Sequence, residues 1–260
     1  MRLRGRFFLM GNLVKLIESR QNSEIKNIVA LHERKHRRAQ KRYIAQGLRV
    51  CSSLMQSGQT LQQLYATSGM LQEAQKLVSD HSITRVTDDV MEKISTTESP
   101  SGLLGIFLLP EPPKDKTLTS GVVLAQVTDP GNMGTLIRSC AAMGHKTVVI
   151  IEGTDAWSPK VVQASAGTIG MVNIITMSWP ELVHAKRNTK LCALIVHGGK
   201  DPNRLDLRDT LLVVGNEASG IPAQWVADCD ESLTLPMPGH AESLNAAIAG
   251  SIALYLSANI

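Results

Sequence analysis

Aromatic residues are scarce in this chain of 260 residues, in which three Trp, three Tyr and three Phe make up 3% of the sequence. A hydrophobic core therefore has to be packed from Leu, Ile, Val, Ala and Met. The hydrophobic share of 43% is sufficient for such a core and is typical of globular proteins. The length predicts two domains, because a domain usually contains roughly 100–200 residues.

Cysteine is also rare, and its four positions are spread along the chain without a C-x-x-C pair. This spacing argues against a disulfide framework or a zinc knuckle and fits a reducing compartment. No apolar run approaches the ~18 residues that span a bilayer, and the apolar run 7–10 is too short for the core of a signal peptide. We expect a cytoplasmic protein, with the mitochondrial matrix as an alternative because the start of the chain is basic and poor in acids.

Acidic residues are few in the first fifth of the chain. Residues 1–49 contain 13 Lys and Arg against 3 Asp and Glu, a net charge of +10, whereas the remainder carries −6. Clustered Lys and Arg favour contact with a polyanion such as RNA, because neutralised phosphates release their counterions. A solvated helix face is the alternative. The predicted RNA-binding side chains are Arg34, Lys35, Arg37, Arg38, Lys41 and Arg42.

Proline marks the predicted domain boundary. Three prolines stand within residues 110–113, in a stretch that can continue neither a helix nor a central strand, because proline lacks the N–H group and fixes φ. We therefore predict an RNA substrate-binding domain over 1–113 and a second domain over 114–260. In the first, a basic helix is expected from Ile25 onward, followed by alternating short strands and helices, which indicates a small α/β unit.

The second domain contains four compact apolar runs, and enough residues for a helix separate each from the next. These runs are 122–127, 147–151, 191–196 and 211–214. Such runs of Val, Ile and Leu indicate strands buried on both faces, and hence a parallel sheet with helices on either side. No G-x-G-x-x-G motif follows any of them, so the sequence does not indicate a dinucleotide-binding site.

One short motif in the basic segment is a coincidental match. Residues 32–36 read H-E-x-x-H, the pattern of a zinc protease. The protease motif needs a dry, apolar helix and a third ligand. This copy lies in the most basic stretch of the chain, where a dication would be repelled. We predict no metal site.

Three polar loops follow predicted strands, at the sheet edge where ligands bind in open α/β folds. They read N-x-G-x-x-x-R, then G-N-E-x-x-G at a strand end, then P-M-x-G-x-x-x-S-L-N. Each motif alone is a weak signal, whereas the three in this order are highly specific. The residues that form them are Asn132, Gly134 and Arg138 in the first, Gly215, Glu217 and Gly220 in the second, and Pro236, Met237, Gly239, Ser243, Leu244 and Asn245 in the third.

At these motifs the sequence resembles the SpoU/TrmH family of RNA ribose 2′-O-methyltransferases, within the SPOUT superfamily. The likeness extends over nearly the whole chain, since the N-terminal part resembles the SpoU-type substrate-binding domain. Gln46 departs from the pattern of that domain, which usually has an acidic residue before the glycine, and this departure concerns either RNA contact or folding. The resemblance implies an α/β fold in which a smaller, L30e-like RNA-binding domain precedes a C-terminal parallel-sheet domain with a deep trefoil knot.

The resemblance also implies S-adenosylmethionine as methyl donor, held by backbone groups in the knot, and a homodimer whose interface completes the active site. The implied function is methylation of a ribose 2′-hydroxyl in structured RNA, with 23S-type ribosomal RNA as the expected acceptor. A tRNA acceptor and a noncatalytic knotted RNA-binding protein are the alternatives. The implied catalytic residues are Arg138, Asn132, Glu217, Ser243 and Asn245, and the implied cofactor-binding residues are Gly215, Asn216, Leu235, Met237, Leu244 and Gly220.

Arg138 is often regarded in this family as the group that activates the hydroxyl. A guanidinium with a pKa above ~12 is a poor proton acceptor at neutral pH. We therefore favour an electrostatic role, in which the cation stabilises the developing alkoxide and holds the neighbouring phosphate. Asn132 is expected to orient Arg138 or the ribose, and Glu217 to position Arg138 or Asn132. In-line methyl transfer requires alignment of the two molecules, and it needs no metal.

Overall fold

The structure, a computed structural model, describes residues 14–113, 117–239 and 242–258. Its strands form two sheets, one in each half of the chain, and helices lie between the strands along the sequence. In the first half the elements are β1 (Lys15–Ile17), α1 (Ser23–Ala30), α2 (Arg34–Gln40), β2 (Arg42–Gln46), α3 (Leu48–Gln56), β3 (Leu61–Ala66), α4 (Leu71–Leu77), β4 (Ile83–Val86), α5 (Asp88–Ile94) and β5 (Leu103–Leu108). In the second half they are β6 (Gly121–Ala125), α6 (Pro130–Ala142), β7 (Thr147–Ile151), α7 (Pro159–Ala164), β8 (Asn173–Thr176), α8 (Trp179–Ala185), β9 (Lys190–Leu194), β10 (Thr210–Val214), α9 (Ala223–Ala227), β11 (Glu231–Leu233) and α10 (Ala246–Ser257).

The first sheet has the strand order β1-β4-β3-β5-β2 and confirms the predicted small α/β unit. Strand β5 runs antiparallel to both of its neighbours, and the other pairs are parallel. The expected single basic helix is two helices, because the backbone at Glu33 is extended between α1 and α2. The side chain of Gln46, at the end of β2, is only 8% exposed. Its departure from the family pattern therefore concerns the interior of this domain.

The second sheet is entirely parallel, with the order β11-β9-β10-β6-β7-β8. The four predicted apolar runs form its inner strands β9, β10, β6 and β7, which confirms the parallel sheet. The edge strands β8 and β11 were not predicted, because both are short and partly exposed and so contain no apolar run of this kind. Helices α6, α7 and α10 pack on one face of the sheet, while α8 and α9 pack on the other.

Helix starts place functional side chains at the carboxyl edge of this sheet. Asp129 caps α6, its carboxylate accepting from the backbone N–H of Asn132 at 2.7 Å, and Pro130 is the first helical residue. Asn245 caps α10 in the same way, accepting from two backbone N–H groups. The loops that carry the first and third motifs therefore end in fixed geometry.

Close backbone approaches explain two of the motif glycines. A Cβ on Gly134 would lie 2.4 Å from the Cβ of Ala164, because α6 and α7 pack together at this point. A Cβ on Gly215 would lie 2.3 Å from the carbonyl carbon of Gly220. Real side chains do not tolerate such distances, so only glycine fits at these two positions without a shift of the backbone.

Two stretches of chain pass close together beside β11. The N–H of Ile195 donates to the carbonyl of Leu233, and the N–H of Thr234 donates to the carbonyl of Lys200, both at 3.0 Å. A Cβ on Gly199 would lie 2.6 Å from the carbonyl carbon of Leu233. This tight crossing is compatible with the trefoil knot, which itself stays a prediction.

The two halves of the chain are packed against each other. The rings of Tyr43 and Trp157 have their centroids 4.8 Å apart. The guanidinium of Arg37 is 3% exposed and donates from Nε to Asp155 of the second half at 3.1 Å. One hydrophobic core includes residues of both halves. The predicted boundary at 113/114 falls in the connection between β5 and β6 and stays a prediction.

Arg37 requires a correction. It was expected to contact RNA, but its guanidinium is buried, pairs with Asp155 and donates to the carbonyls of Leu31 and His32 at 2.8 Å each. Every hydrogen bond that the structure describes for this guanidinium is therefore donated to another group of the protein. Arg37 holds the basic helix α2 in place and does not present a charge to a phosphate.

Every helix within the described part of the chain is too short or too polar to cross a membrane.

Candidate active site and nucleic-acid interface

The first two motif loops leave the sheet at neighbouring strands. Strands β6 and β10 pair in parallel, with Leu124 opposite Val214, so their carboxyl ends lie side by side. The first loop follows β6 and the second follows β10. The third loop leads from β11 into α10, whose N-terminal cap Asn245 returns to the same edge. Residues more than 100 positions apart are thereby brought together.

Three motif side chains form one hydrogen-bonded cluster. The amide nitrogen of Asn132 donates to Oε1 of Glu217 at 2.9 Å. The amide oxygen of Asn132 accepts from Nδ2 of Asn245 at 3.1 Å. Oε1 of Glu217 also accepts from the backbone N–H of Asp129 at 3.3 Å. Of the two partners considered for Glu217, the structure places Asn132 in contact with it.

Asn216 shapes the loop that presents Glu217. Its carboxamide oxygen accepts from the backbone N–H groups of Ala218 and Ser219, and its backbone pairs with Gly220 across a tight turn. Its Nδ2 donates to the carbonyl of Gln126 at 2.9 Å, at the end of β6. The second loop is therefore fastened to the neighbouring strand and leaves the Glu217 carboxylate exposed at the edge.

A cavity of about 250 Å³ opens beside this cluster. Its apolar wall includes Leu194, Ile195 and Val196, and Glu217 and Ser243 are polar groups at its rim. All six residues predicted to bind the cofactor line this cavity, namely Gly215, Asn216, Gly220, Leu235, Met237 and Leu244. An apolar cleft with a few polar groups is the usual form of a small-molecule site.

Arg138 lies apart from the cluster. It is exposed on α6 and stands six positions after Asn132, so the two side chains project about 120° apart around the helix axis. Among the described residues, no hydrogen bond or ion pair to Arg138 is present. Its neighbour Ser139 contacts Ser251 at 2.7 Å between the two hydroxyl oxygens, which places Arg138 beside α10.

The predicted RNA-binding residues separate into different environments. Arg34, Arg38 and Lys41 line a groove of about 460 Å³ between the two halves of the chain. Lys35 is exposed and pairs with Glu33. Arg42 is half-buried and lines a second groove of about 620 Å³ on the first sheet. Three exposed predicted cations thus face one groove, and the buried Arg37 also lines it.

Two polar residues at the same sheet edge were not singled out from the sequence. Gln126 and Glu152 directly follow the buried strands β6 and β7, and the Gln126 amide donates to the Glu152 carboxylate at 2.7 Å. Both residues have left-handed backbone conformations, with φ of 58° and 51°. A polar residue at the end of an apolar run was the available signal, but no motif includes either of them.

The H-E-x-x-H residues do not converge. His32 lies in hydrogen-bond distance of the Ile94 carbonyl, at 2.9 Å from Nε2, and the break between α1 and α2 falls within the motif. In the part of the chain that the structure describes, no group of three His, Cys, Asp or Glu side chains is arranged to hold a metal ion.

Comparison with known proteins gives consistent matches. The SpoU rRNA Methylase family matches residues 120–255, and the MRM3-like substrate binding domain matches residues 22–105. The 23S rRNA (guanosine(2553)-2′-O)-methyltransferase RlmP of Bacillus subtilis is 26% identical over 250 residues, covering 93% of this chain and 98% of that protein. The 23S rRNA (uridine(2479)-2′-O)-methyltransferase of Streptomyces viridochromogenes is 31% identical, covering 70% of this chain and 69% of that protein.

A similar arrangement of both sheets is present in a solved structure. The AdoMet-bound rRNA methyltransferase from Sinorhizobium meliloti superposes with a TM-score of 0.82 at 28% sequence identity. The match covers 94% of this chain and 97% of that one.

Proposed function

Because this chain belongs to the SpoU rRNA methylase family, we propose that it transfers a methyl group from S-adenosylmethionine to a ribose 2′-hydroxyl of ribosomal RNA. The observation that carries the proposal is the Asn132–Glu217–Asn245 cluster beside a cavity lined by both later motifs. Relatives that act on 23S ribosomal RNA favour this acceptor over tRNA. The intact cluster argues against a noncatalytic RNA-binding protein.

The cavity suits S-adenosylmethionine. Its apolar wall of Leu and Ile side chains fits a nucleoside base, and the exposed edge at Glu217 and Ser243 offers hydrogen-bond acceptors to polar groups. Gly215 keeps the second loop close to Gly220, so backbone groups can reach a ligand there. We assign Gly215, Leu235 and Leu244 as backbone contacts and Asn216, Gly220 and Met237 as further walls. When bound, the cofactor supplies an electrophilic methyl group on a sulfonium.

The residues of the cluster would orient the acceptor nucleotide. Glu217 fixes the amide of Asn132, and Asn245 fixes its oxygen, so that Asn132 is held rigidly at the mouth of the cavity. A rigid amide can hold a ribose in line for displacement, which lowers the entropic part of the barrier. Ser243, at the rim of the cavity, would complete the nucleotide pocket.

Arg138 would act on the ribose 2′-oxygen of an RNA that is bound at the active site of the neighbouring subunit. Its guanidinium projects away from the Asn132 cluster of its own chain and lies beside α10, as described above. The apolar side chains Ile248, Ile252 and Tyr255 are 53%, 40% and 56% exposed on that helix. Covering this stripe against a second copy would bury apolar surface and bring Arg138 toward the site of that copy. We therefore propose a homodimer with active sites completed across the interface.

The basic groove would hold the RNA backbone near the active site. Arg34, Arg38 and Lys41 face the carboxyl edge of β7 and β8, and this edge is continuous with the one that carries the cluster. Lys35 and Arg42 would contribute phosphate contacts outside this groove. We place the protein in the cytoplasm, where ribosomal RNA is modified, and keep the mitochondrial matrix as the alternative location.

Mapping 2′-O-methyl groups across all RNA, in cells with and without the gene, tests the proposal directly. We expect one or a few sites in large-subunit ribosomal RNA to be lost with the gene and restored by the wild-type protein. Loss of a site in tRNA alone would establish the tRNA alternative. An unchanged map, together with binding of S-adenosylmethionine to the purified protein, would contradict methyl transfer as its role.

A further inference from the structure

Glu152 is an exposed carboxylate in an unexpected place. It lines the groove that also contains Arg34, Arg38 and Lys41, and it lines a second groove beside Trp225 on its other side. A surface that receives a polyanionic strand loses affinity from a negative charge, because phosphates are repelled. Such a carboxylate needs a compensating interaction if it is to favour binding.

The Glu152 side chain is held in place by Gln126. One carboxylate oxygen accepts from Gln126 Nε2 at 2.7 Å, and the two residues follow strands paired in register, with Ala125 opposite Ile151. Among the described residues, Glu152 has no ion pair. It is therefore oriented by a neutral amide, and among the described residues its remaining lone pairs accept no other hydrogen bond, while the residue lines the groove.

This pair is linked directly to the proposed catalytic cluster. Nδ2 of Asn216 donates to the Gln126 carbonyl at 2.9 Å and lies 3.3 Å from Oε2 of Glu217. Gln126 and Glu217 thus flank a single nitrogen atom. A nucleotide whose ribose meets the Asn132–Glu217 cluster has its base, or that of its neighbour, within reach of the next strand, since adjacent strands are about 4.8 Å apart.

The chemistry of the carboxylate selects one kind of base. An ionised carboxylate only accepts hydrogen bonds, and it can accept two parallel bonds from two adjacent donors. On its Watson–Crick edge, guanine presents two neighbouring donors, the ring N1–H and the exocyclic N2 amine. Uracil presents one donor between two acceptors, and adenine and cytosine present one amine beside a ring acceptor. Unpaired bases in RNA expose this edge to proteins.

We propose that Glu152, oriented by Gln126, recognises guanine at or next to the methylated nucleotide, accepting hydrogen bonds from its N1–H and N2–H. This inference rests on the proposed function and names a specificity residue for that site. The Gln126 amide uses one acceptor position of one carboxylate oxygen, and the other acceptor positions of the carboxylate stay available to the two donors of guanine.

The test begins with purified protein, S-adenosylmethionine and ribosomal RNA from cells that lack the gene. We expect the new 2′-O-methyl group to appear on a guanosine or on a nucleotide adjacent to one. If no 2′-O-methyl group appears, the proposed function fails and this inference with it. A methylated ribose with no guanosine at or beside it overturns this inference alone.

The second step uses synthetic RNA that spans the mapped site, with guanosine or with inosine, which lacks the N2 amine. Glu152→Gln keeps the size of the side chain and the backbone preference at φ 51°, so its fold should be retained, and binding of S-adenosylmethionine checks this. We expect kcat/KM on guanosine RNA to fall roughly ten- to hundredfold in this variant, as for loss of a bidentate base contact. Inosine should lower the wild-type value similarly and affect Glu152→Gln far less.

The control is Glu92→Gln, which removes another exposed carboxylate, on α5, and should leave kcat/KM on both substrates unchanged. A merely solvated Glu152 makes the opposite prediction, because removing a negative charge from an RNA-facing groove should leave RNA binding and methylation equal or stronger. That result, or an equal inosine effect in wild type and Glu152→Gln, would overturn the proposed recognition.

Discussion

Asn132 and Glu217 lie 85 positions apart in the chain and share a hydrogen bond of 2.9 Å between amide nitrogen and carboxylate. The opposite end of the same amide accepts from Asn245. One carboxylate therefore sets the orientation of an amide that connects the first and third motif loops. This arrangement gives the acidic and amide residues of the proposed active site a common role, which is to hold one amide in a fixed orientation.

Replacing Glu217 by Gln should lower the rate of methyl transfer. A hydrogen bond to a charged group contributes roughly 1.5–3 kcal/mol, so we expect kcat to fall about ten- to hundredfold. S-adenosylmethionine should still bind, since the apolar wall of the cavity is unchanged and the amide oxygen of a glutamine can still accept a hydrogen bond at its edge. Single-turnover methylation beside calorimetry measures both quantities. Glu92→Gln serves as control, and unchanged turnover in Glu217→Gln would contradict the positioning role.

Arg138→Ala should abolish methyl transfer and leave cofactor affinity nearly intact, because we propose that Arg138 acts on the acceptor oxygen and not on the cofactor. Arg138→Lys should recover little activity, since a point charge cannot reproduce a bidentate guanidinium. Calorimetry with S-adenosylmethionine and a single-turnover assay would show this separation. Substantial turnover by the alanine variant would remove Arg138 from the mechanism.

The apolar stripe on α10 should hold two chains together. Light scattering is expected to give twice the chain mass of 28.2 kDa. Ile248→Asp combined with Tyr255→Asp should produce a folded monomer that is inactive, because charges cannot be buried in an apolar interface without a large penalty. Met171→Asp is the matched control, since Met171 is 42% exposed outside α10. A fully active monomer would mean that Arg138 serves its own chain.

Neutralising the groove cations should weaken RNA binding and reduce its salt dependence. Each phosphate contact contributes about 0.7–0.9 to the slope of log K against log salt. The triple variant Arg34→Gln, Arg38→Gln, Lys41→Gln should therefore show a smaller slope, with unchanged cofactor affinity. Binding titrations at several salt concentrations measure it. An identical slope would indicate a solvated helix face, the alternative considered from the sequence.

Arg37 should behave differently from its neighbours. Arg37→Ala leaves Asp155 partly buried without its partner and is expected to lower the free energy of unfolding by about 3–5 kcal/mol. Arg38→Ala, at an exposed position of the same helix, should change stability by less than about 0.5 kcal/mol. Denaturant titrations compare the two. Equal stability of both variants would show that the pair with Asp155 contributes nothing.

The packing of the two halves also changes how the N-terminal domain should be studied. Deleting residues 1–113 is a direct way to ask how much of the RNA affinity this domain supplies. Such a deletion would expose Trp157 and leave Asp155 without its cation. Substitutions on the surface of α2 measure RNA contacts without this disturbance of the second domain.

The sequence was sufficient for the parts of the molecule that have a strong local pattern. The inner strands of the parallel sheet were predicted because both of their faces are buried, and the family was identified from three ordered motifs and is confirmed. The short edge strand β8 was missed, since a half-exposed N-I-I-T segment carries no distinct periodicity. The burial of Arg37 could not be predicted from the sequence either, because no local sequence pattern distinguishes a buried arginine within a run of charged residues.

The sequence predicted which residues belong to the candidate site better than it predicted how these residues are arranged in space. The motifs named Asn132, Glu217 and Asn245, and the structure brings them together. They also named Arg138, which a single chain places elsewhere. Gln126 and Glu152 belong to no motif, and their pairing depends on the register of β6 with β7, a long-range property that no local pattern contains.

The buried Arg37–Asp155 pair joins the basic helix α2 to the loop that follows β7 of the parallel sheet. Because this pair fastens α2 to the parallel sheet, the proposed phosphate contacts on α2 would lie at a set distance from the proposed reacting ribose. We expect an RNA to be accepted when its own fold matches that distance. Target choice would be made by the three-dimensional shape of the RNA as much as by any base.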